Sequence, residues 1–523
     1  MPPGQPRKPV RTESFDVSGR SVYLIGIGGC GMSGLARMLR ARGAIVSGSD
    51  TSPSEATTAL VTAEFEVGFD QSKSWLPEAC DLVVASAAIK PTHPQVLEAE
   101  RRGIPVLFYA EALGKCMLGR TGIAIAGTHG KSTTTAMIGA ALTDAGLDPT
   151  VIVGATCSQL VGGSLKGPGQ PAGFRLGSQA IPSGAWLGKP GLLVAEACEF
   201  NRSFHNLHPT VASISSVEAD HLDVFGNLEA VIEAFHEFAA SLPDADHGGR
   251  LLIAHDGAHR REVTAGIRCS VETIGFNPEA DWVVSYDPTS RLVTLARHGS
   301  GIARWTMKLP GAHNAFNASV ALALSTMVGA EPATVARSLG EFRGVDRRMQ
   351  LLGERPHPLG GTVRVYDDYG HHPTEVETTL RALREFERPE ERGGRLICVF
   401  QPHQHSRTRH LLEEFAAAFG SADIVIVPHI YFVRDSIEER QKVTASDLVD
   451  RLRQRGARAM HLYPFEAIIE QLENLCQPGD LLVVMGAGPV NEVAHGYLAG
   501  GNHGRDGAQA GARPGVTNVG SRS

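Results

Sequence analysis

A chain of 523 residues is too long for one hydrophobic core and points to about three domains of roughly 150 residues each. Its 42% hydrophobic and 20% charged content are those of a soluble globular enzyme. The net charge of −7 (49 − 56) excludes the basic field that nucleic-acid binding needs, and no apolar run approaches the ~20 residues that span a bilayer.

The stretch Met1 to Gly19 is polar and proline-bearing, without the apolar heart of a signal peptide, so residues 1–18 are expected to be a flexible N-terminus. A buried-strand pattern, Ser21-Val22-Tyr23-Leu24-Ile25, then runs into Gly26-Ile27-Gly28-Gly29-Cys30-Gly31-Met32-Ser33-Gly34, in which glycines 26, 28 and 31 fit G-x-G-x-x-G. A helix-like segment follows. The next strand, Ala44 to Ser49, ends at Asp50, about where a Rossmann unit places its ribose-binding acid. Residues Asp81 to Ile89 read as another strand with a polar tip at Ser86. This pattern alone leaves three readings open: a nicotinamide dinucleotide, a nucleotide-sugar diphosphate, or plain strand–helix packing.

The most informative stretch is Ala126-Gly127-Thr128-His129-Gly130-Lys131-Ser132-Thr133, between a strand-like Gly122 to Ile125 and a helix-like Met137 to Leu142. Such a turn presents backbone N–H groups to an anion at the positive end of a helix dipole. Lys131 would add a point charge for the β/γ-phosphates, and the Ser132 hydroxyl would ligate Mg²⁺. Ile125 stands where G-x-x-x-x-G-K-S has glycine. The glycine-, proline- and serine-rich stretch Gly162 to Pro190 reads as a long surface loop. Leu192 to Glu199 is a strand running into two carboxylates, and Val211 to Asp223 is another ending in Glu218-Ala219-Asp220-His221. Acids and an imidazole at the carboxyl edge of a parallel sheet suit Mg²⁺ on ATP phosphates.

A third block, from Gly344, holds Val363 to Glu375 with Asp367-Asp368-Tyr369-Gly370-His371-His372, and a strand Leu396 to Phe400 before Gln401-Pro402-His403-Gln404-His405-Ser406-Arg407. Strands alternating with helical stretches predict a further α/β sheet. The His371-His372 pair lacks a third ligand at metal-like spacing, so zinc is not expected. Eight scattered cysteines without C-x-x-C predict reduced thiols in the cytoplasm. The stretch from Gly500 to Ser523 lacks apolar periodicity and reads as a disordered tail.

Taken in order, Gly28-Gly29-Cys30-Gly31-Met32-Ser33-Gly34, Gly127-Thr128-His129-Gly130-Lys131-Ser132, Glu196 with Glu199, Glu218 to Asp223, His313-Asn314-Ala315-Phe316-Asn317, Arg347-Arg348-Met349-Gln350, Asp367 to Glu375 and Phe400 to Thr408 resemble the motifs of the Mur ligases. The resemblance spans about Val22 to Gly488. It implies an α/β chain of three domains: a Rossmann-like UDP-sugar domain (19–118), a central P-loop-type ATPase domain with a mostly parallel sheet (119–343) and a C-terminal Rossmann-like domain contacting amino acid and ATP (344–499).

By the same resemblance, Gly28, Gly29, Gly31, Met32, Asp50 and Ser86 would bind the UDP-sugar, while Gly127, Thr128, His129, Gly130, Lys131, Ser132, Thr133, Asn317, Arg347 and Asp368 would bind ATP. Ser132, Glu196 and His221 would hold Mg²⁺. Tyr369, His371 and Arg407 would surround the amino acid, and catalysis would fall to Lys131, Glu196, His221, His371 and Arg407. The implied activity is that of the alanine-adding branch in peptidoglycan synthesis: ATP phosphorylates the lactyl carboxylate of UDP-N-acetylmuramate, and the amine of L-alanine attacks the acyl phosphate. A monomer or weak homodimer is expected, with neither nucleic acid nor membrane as partner.

Several positions depart from the family pattern. Gln404 stands where many relatives carry a second arginine beside the amino acid. Cys198 and Asn201 replace two acids, Phe69 replaces a histidine, and Pro489 follows the late Met485-Gly486-Ala487-Gly488. No lysine lies between His221 and Arg250, so the carbamylated lysine of some relatives is absent, as in the alanine-adding branch. The alternatives are a ligase that returns murein peptide to the same UDP-sugar, an NAD(P)-dependent oxidoreductase with a fused ATPase, and a catalytically idle nucleotide-binding regulator.

Overall fold

The computed structural model describes residues 15–500; the expectations for residues 1–14 and 501–523 lie outside the described residues. The chain divides into two units, Met1–Asp346 and Arg347–Ser523.

The first unit carries two sheets. One is wholly parallel: β1 (Ser21–Ile25), β2 (Ile45–Ser49), β3 (Glu66–Gly68), β4 (Leu82–Ala85) and β5 (Val106–Phe108), in the order β3-β2-β1-β4-β5. The strand order reverses between β1 and β4, which opens a crevice at their carboxyl ends. The turn after β1 and Ser86 after β4 meet there. The helix Cys30–Ala41 starts from that turn and buries Met32, Leu35, Ala36, Met38 and Leu39 on one face.

The second sheet has ten strands: β6 (Thr121–Ala126), β7 (Thr150–Cys157), β8 (Ala172–Arg175), β9 (Leu192–Glu196), β10 (Val211–Ile214), β11 (Arg250–Ala254), β12 (Ser270–Gly275), β13 (Trp282–Asp287), β14 (Leu292–Arg297) and β15 (Ser300–Thr306). Their order is β15-β14-β13-β12-β11-β10-β6-β9-β7-β8. From β7 to β13 the ladder is parallel, and antiparallel strands close both edges. β6 is buried along its whole length, and β10 and β9 flank it, so the residues following all three strands converge. The helix Lys131–Asp144 is buried on every side from Thr133 to Leu142, between the sheet and the helix Ala312–Met327. A helix buried on all sides is stable only in such a sandwich.

The expected surface loop Gly162 to Pro190 is not structureless. It contains β8, which pairs antiparallel with β7. Phe174 of β8 lies so close to Gly34 that a Cβ there would meet its Cβ at 3.2 Å. Cys30 Sγ donates to the Val153 carbonyl of β7 at 3.4 Å. The stretch therefore seats the glycine turn of the first sheet against the second. Its composition concealed this because a four-residue edge strand buries little apolar surface and needs no hydrophobic run.

A second point of close packing lies at Gly114, in the helix Tyr109–Met117. A Cβ there would collide with the Asn206 carbonyl oxygen and meet its carbon at 2.7 Å. The turn Phe200–Asn206 leads away from Glu196 and Glu199, so this contact backs the acidic edge.

The second unit holds β16 (Gln350–Pro356), β17 (Thr362–Asp368), β18 (Leu396–Phe400), β19 (Ile424–Val427), β20 (Ala459–His461) and β21 (Leu481–Met485), in the order β16-β17-β21-β18-β19-β20. Only the edge strand β16 runs antiparallel. Asp480, fully buried, ties the sheet's base. It accepts the Arg395 N–H at 2.7 Å and pairs with the Arg395 guanidinium at 2.7 Å. All eight cysteines are free. No helix among the described residues is long and apolar enough to cross a membrane.

Gly114→Ala is expected to lower the first unit's stability by roughly 1–3 kcal/mol, because backbone rather than a side-chain tip must yield. Denaturant unfolding checks this; an unchanged midpoint would show that the two elements are not in firm contact.

Candidate active site

The phosphate-type loop is closed by backbone geometry that only glycine adopts without strain. Gly127 has φ 132° and Gly130 φ 83°. A Cβ on Gly127 would run into the Ser215 hydroxyl, and one on Gly130 would meet Asn317 Oδ1 at 2.5 Å. The segment after β10 clamps the loop. The Thr128 N–H donates to the Ser216 carbonyl at 2.9 Å, and the His129 N–H donates to Ser216 Oγ at 3.1 Å. The Glu218 N–H donates to Thr128 Oγ1 at 2.9 Å, and His129 Nε2 lies 3.4 Å from the Glu218 carboxylate. Thr133 is buried in the first turn of the helix that follows.

Lys131 folds back over its own loop. Its ammonium donates to the Gly127 carbonyl at 2.6 Å and the Thr128 carbonyl at 3.0 Å, and pairs with Glu199 at 2.9 Å. The two side chains are 15% and 4% exposed. Burial alone would lower the ammonium's pKa, yet the ion pair with Glu199 carries it above the usual lysine value. A fully charged cation is thus held where phosphate oxygens would sit on a loop of this kind.

The expected metal set of Ser132, Glu196 and His221 falls into two groups. Ser132 Oγ donates to Glu196 Oε2 at 3.1 Å, and the other Glu196 oxygen accepts the Gly154 N–H. His221 lies instead with Glu199 and Asp220, its Nε2 4.0 Å and 3.7 Å from their carboxylates. One ligand atom from each of Glu199, Asp220 and His221 falls within 4.8 Å of the others. Two carboxylates and an imidazole, or a hydroxyl and a carboxylate, are donor sets that fit a hard divalent cation. Glu199 and Asp220 were visible as acids at strand ends. Their common edge with His221 was legible too; which acid lies with which donor was not, because that depends on how the segments after β9 and β10 turn, His221 with φ 54° among them.

Around the first-sheet glycine turn, Asp50, the expected ribose-binding acid, is bonded to backbone. Its Oδ2 accepts the Gly28 N–H at 2.7 Å, and its Oδ1 accepts the Thr51 N–H at 2.7 Å, so it braces the turn. Met32 is 3% exposed, and its side chain packs under the turn, where a Cβ on Gly29 would meet its Cγ at 3.6 Å. Ser86 lies against Gly26, where a Cβ would meet its Cβ at 2.9 Å. The Gly29 N–H turns inward to the Gly26 carbonyl at 3.2 Å, and Tyr109 packs its ring tip on Gly31. The N–H groups that open the helix Cys30–Ala41 have no intrahelical acceptor and form the anion-attracting end of this crevice. Burial, with Glu196 nearby, pushes the Cys30 thiol up to about 11. Cys30 bonds to the Val153 carbonyl and the next residue, Gly154, donates its N–H to Glu196, so the glycine turn lies beside the acidic edge.

Asn317, expected at adenine, lies with its amide oxygen against Gly130 and so lines the phosphate loop itself. It is buried in the helix Ala312–Met327.

In the second unit, Asp368 is buried and both its oxygens serve the backbone. Oδ2 accepts the Met349 N–H at 2.7 Å and Oδ1 the Gly370 N–H at 2.6 Å. Burial pushes its carboxyl up to about 6, although Arg348 and these N–H groups pull the other way. Arg347 is likewise engaged at home: with Asp367 at 3.2 Å, the Gly486 carbonyl at 2.8 Å and the Gly488 carbonyl at 3.2 Å. The guanidinium groups of Arg347 and Arg348 lie 5.2 Å and 5.0 Å from the Tyr369 ring centre.

The expected amino-acid residues do gather. Tyr369 and His371 meet edge to face at 5.4 Å and His371 and His403 at 5.7 Å, while the rings of His403 and Tyr431 lie tilted at 5.7 Å. The His371 N–H donates to Glu375 at 2.9 Å, and its Nδ1 lies 3.1 Å from the Tyr369 carbonyl. Arg407, 7% exposed, donates to His403 Nδ1 at 3.2 Å. His403 and Tyr431 extend the set beyond the expected three. His403 was legible from its place beside Arg407; Tyr431 was not, because it arrives from a loop after a different strand.

Three family models cover the chain: the Mur ligase family catalytic domain over residues 21–121, the Mur ligase middle domain over 125–325 and the Mur ligase glutamate ligase domain over 347–488. The chain belongs to the Mur ligase family. Among individual relatives, it is 38% identical over 480 residues to the UDP-N-acetylmuramate–L-alanine ligase of Rubrobacter xylanophilus, covering 91% of this chain and 99% of that one. The enzyme of the same name from Agathobacter rectalis is 36% identical over 482 residues, 91% and 97% of the two chains. Of solved structures, the UDP-N-acetylmuramate–alanine ligase of Thermotoga maritima matches with a TM-score of 0.73 at 22% identity, covering 93% of this chain and all of that one. A murein peptide ligase from Psychrobacter arcticus matches at 0.68 and 24%, covering 92% and 99%.

The Asp368 carboxyl yields a pH prediction. Its folded pKa lies above the ordinary aspartate value, so its favourable contribution is full below about pH 4 and is lost as pH rises through about 6. Wild-type stability, relative to Asp368→Asn, should therefore fall by on the order of 2 kcal/mol across that window. Parallel stability–pH curves for the two proteins would remove the assignment.

Proposed function

We propose that this chain joins L-alanine to the lactyl carboxylate of UDP-N-acetylmuramate, converting ATP to ADP and phosphate, in peptidoglycan synthesis. The observation that carries the reading is the first unit's acidic edge. A charged, buried Lys131 sits on a phosphate-type loop beside Ser132–Glu196 and Glu199–Asp220–His221, with the glycine turn of a second nucleotide-type crevice alongside. Relatives of nearly equal length, named for alanine addition, support it.

The chemistry needs two steps, because hydroxide is too poor a leaving group for direct condensation. In the first, a carboxylate oxygen of the UDP-sugar bonds to the γ-phosphorus and the bond to ADP breaks. In the second, the amine bonds to the acyl carbon and the acyl–oxygen bond breaks, releasing phosphate. Lys131 and the loop N–H groups of residues 127–133 stabilise the charge spread over the transferring phosphoryl. Bound Mg²⁺ would neutralise the approach of two anions, held by Ser132 with Glu196 or by Glu199, Asp220 and His221.

The first helix-opening N–H groups, with Gly28, Gly29, Gly31 and the Asp50 brace, orient the sugar diphosphate. Asn317 shapes the phosphate loop from behind. Tyr369, His371 and Arg407 hold the amino acid, whose ammonium must lose a proton before attack; an imidazole, His221 or His371, is the fitting acceptor. Arg347 and Asp368 serve ATP indirectly, by setting the backbone that carries this pocket. ATP and nucleotide-sugars are pools of the cytoplasm, and the reaction belongs there.

Phosphate release from ATP with UDP-N-acetylmuramate should depend on L-alanine, with glycine and L-serine weaker and murein tripeptide inactive. Release with tripeptide alone would assign the chain to peptide recycling, and no release with any amine would refute ligation. Lys131→Ala should abolish release while leaving UDP-sugar binding near wild type by calorimetry; loss of that binding would contradict the division of substrates between the two crevices.

A further inference from the structure

Building on the alanine-adding reading, we propose that Arg434 supplies the second guanidinium for the α-carboxylate of the incoming amino acid, in the place left by Gln404. A carboxylate held away from bulk water is best met by two charge-assisted donors, commonly arginine forks. Arg407 is one, buried and braced on His403. Gln404, three residues before Arg407, is 1% exposed, has φ 68° and stands at the N-cap of the helix His405–His410 without a side-chain capping bond. An uncharged amide there can orient a carboxylate but adds no charge. Its oxygen instead accepts from Arg434 Nη2 at 3.3 Å. An arginine from elsewhere in the unit has its fork drawn to residue 404.

The loop that delivers Arg434 is held firmly enough to act as a fixed wall. The Gln404 N–H donates to the Tyr431 carbonyl at 3.1 Å, and the Tyr431 N–H donates to the Pro402 carbonyl at 2.8 Å. Asp435 accepts the His405 N–H at 2.5 Å and the Ser406 hydroxyl at 2.6 Å. Phe432 packs edge-on to His405 at 5.8 Å, and the Arg440 guanidinium lies 5.4 Å from the centre of the Phe432 ring. Arg434 is thus one residue before a doubly bonded aspartate and three residues past Tyr431, the last ring of the series Tyr369, His371, His403, Tyr431. The bond to Gln404 places its charge at the N-cap of the helix His405–His410, whose first turn carries Arg407.

The test uses the full chain, with L-alanine and its amide as paired substrates. Arg434→Ala should raise KM for L-alanine roughly 10- to 100-fold, the scale of one charge-assisted bond. KM for ATP, UDP-N-acetylmuramate and L-alaninamide should stay near wild type. The double variant Gln404→Arg with Arg434→Ala should recover most of the lost affinity, since it returns the guanidinium from the other residue. Arg434→Lys should recover part of it, and serves in place of the alanine variant should that variant fold poorly. An unchanged KM for L-alanine, equal losses for L-alanine and its amide, or a double variant no better than the single one would each overturn the proposal. Failure of the underlying reading has a different signature: wild-type protein that releases no phosphate with L-alanine at all.

Discussion

The buried pair between Lys131 and Glu199 is the interaction on which the catalytic edge depends. Neither charge could sit alone with so little water around it, since leaving one without its partner costs about 3–5 kcal/mol. Glu199 cannot follow Lys131 about, because it stands just past β9, whose register against β6 is set residue by residue from Thr121 with Leu192 to Ile125 with Glu196. Lys131 is equally fixed, one residue past a glycine whose left-handed turn begins the helix Lys131–Asp144. The ladder, the turn and the ion pair therefore specify one another. Glu199 also faces His221 and Asp220, so the group that balances the lysine also belongs to the donor set that suits a cation.

The second unit shows the same economy in another form, with aspartates used to fix backbone. Asp368, Asp435 and Asp480 each accept backbone N–H groups, at the end of β17, at the start of the helix His405–His410 and at the base of β21. Backbone amides around a carboxylate hold a loop more sharply than side-chain contacts, because the donors have no rotamers to lose. Such clamps allow the rings of Tyr369, His371, His403 and Tyr431 to stand in a fixed series although they come from three separate loops.

Several residues named from motifs are engaged with the protein's own backbone in this structure. Asp50 braces Gly28, Asn317 backs Gly130, and Arg347 ties β17 to the turn after β21. A motif marks where such residues are needed and is silent about whether they touch substrate or hold what does. The stretch Gly162 to Pro190 errs in the opposite direction. Its composition reads as loop, yet β8 within it seats the glycine turn, because edge-strand pairing draws on backbone bonds that composition does not register.

The sequence by itself determined the α/β alternation, the positions of both glycine turns and the family. Those depend on local spacing: alternate burial, a turn only glycine can make, and acids one residue past a strand. Only the tertiary structure decided which acids pair with which cations. It put Glu199 with Lys131 and His221, left Glu196 with Ser132, and drew Arg434 to Gln404. Electrostatic partnership is a matter of a few ångströms in space, and residues 30 or 68 positions apart along the chain carry no local signal of it.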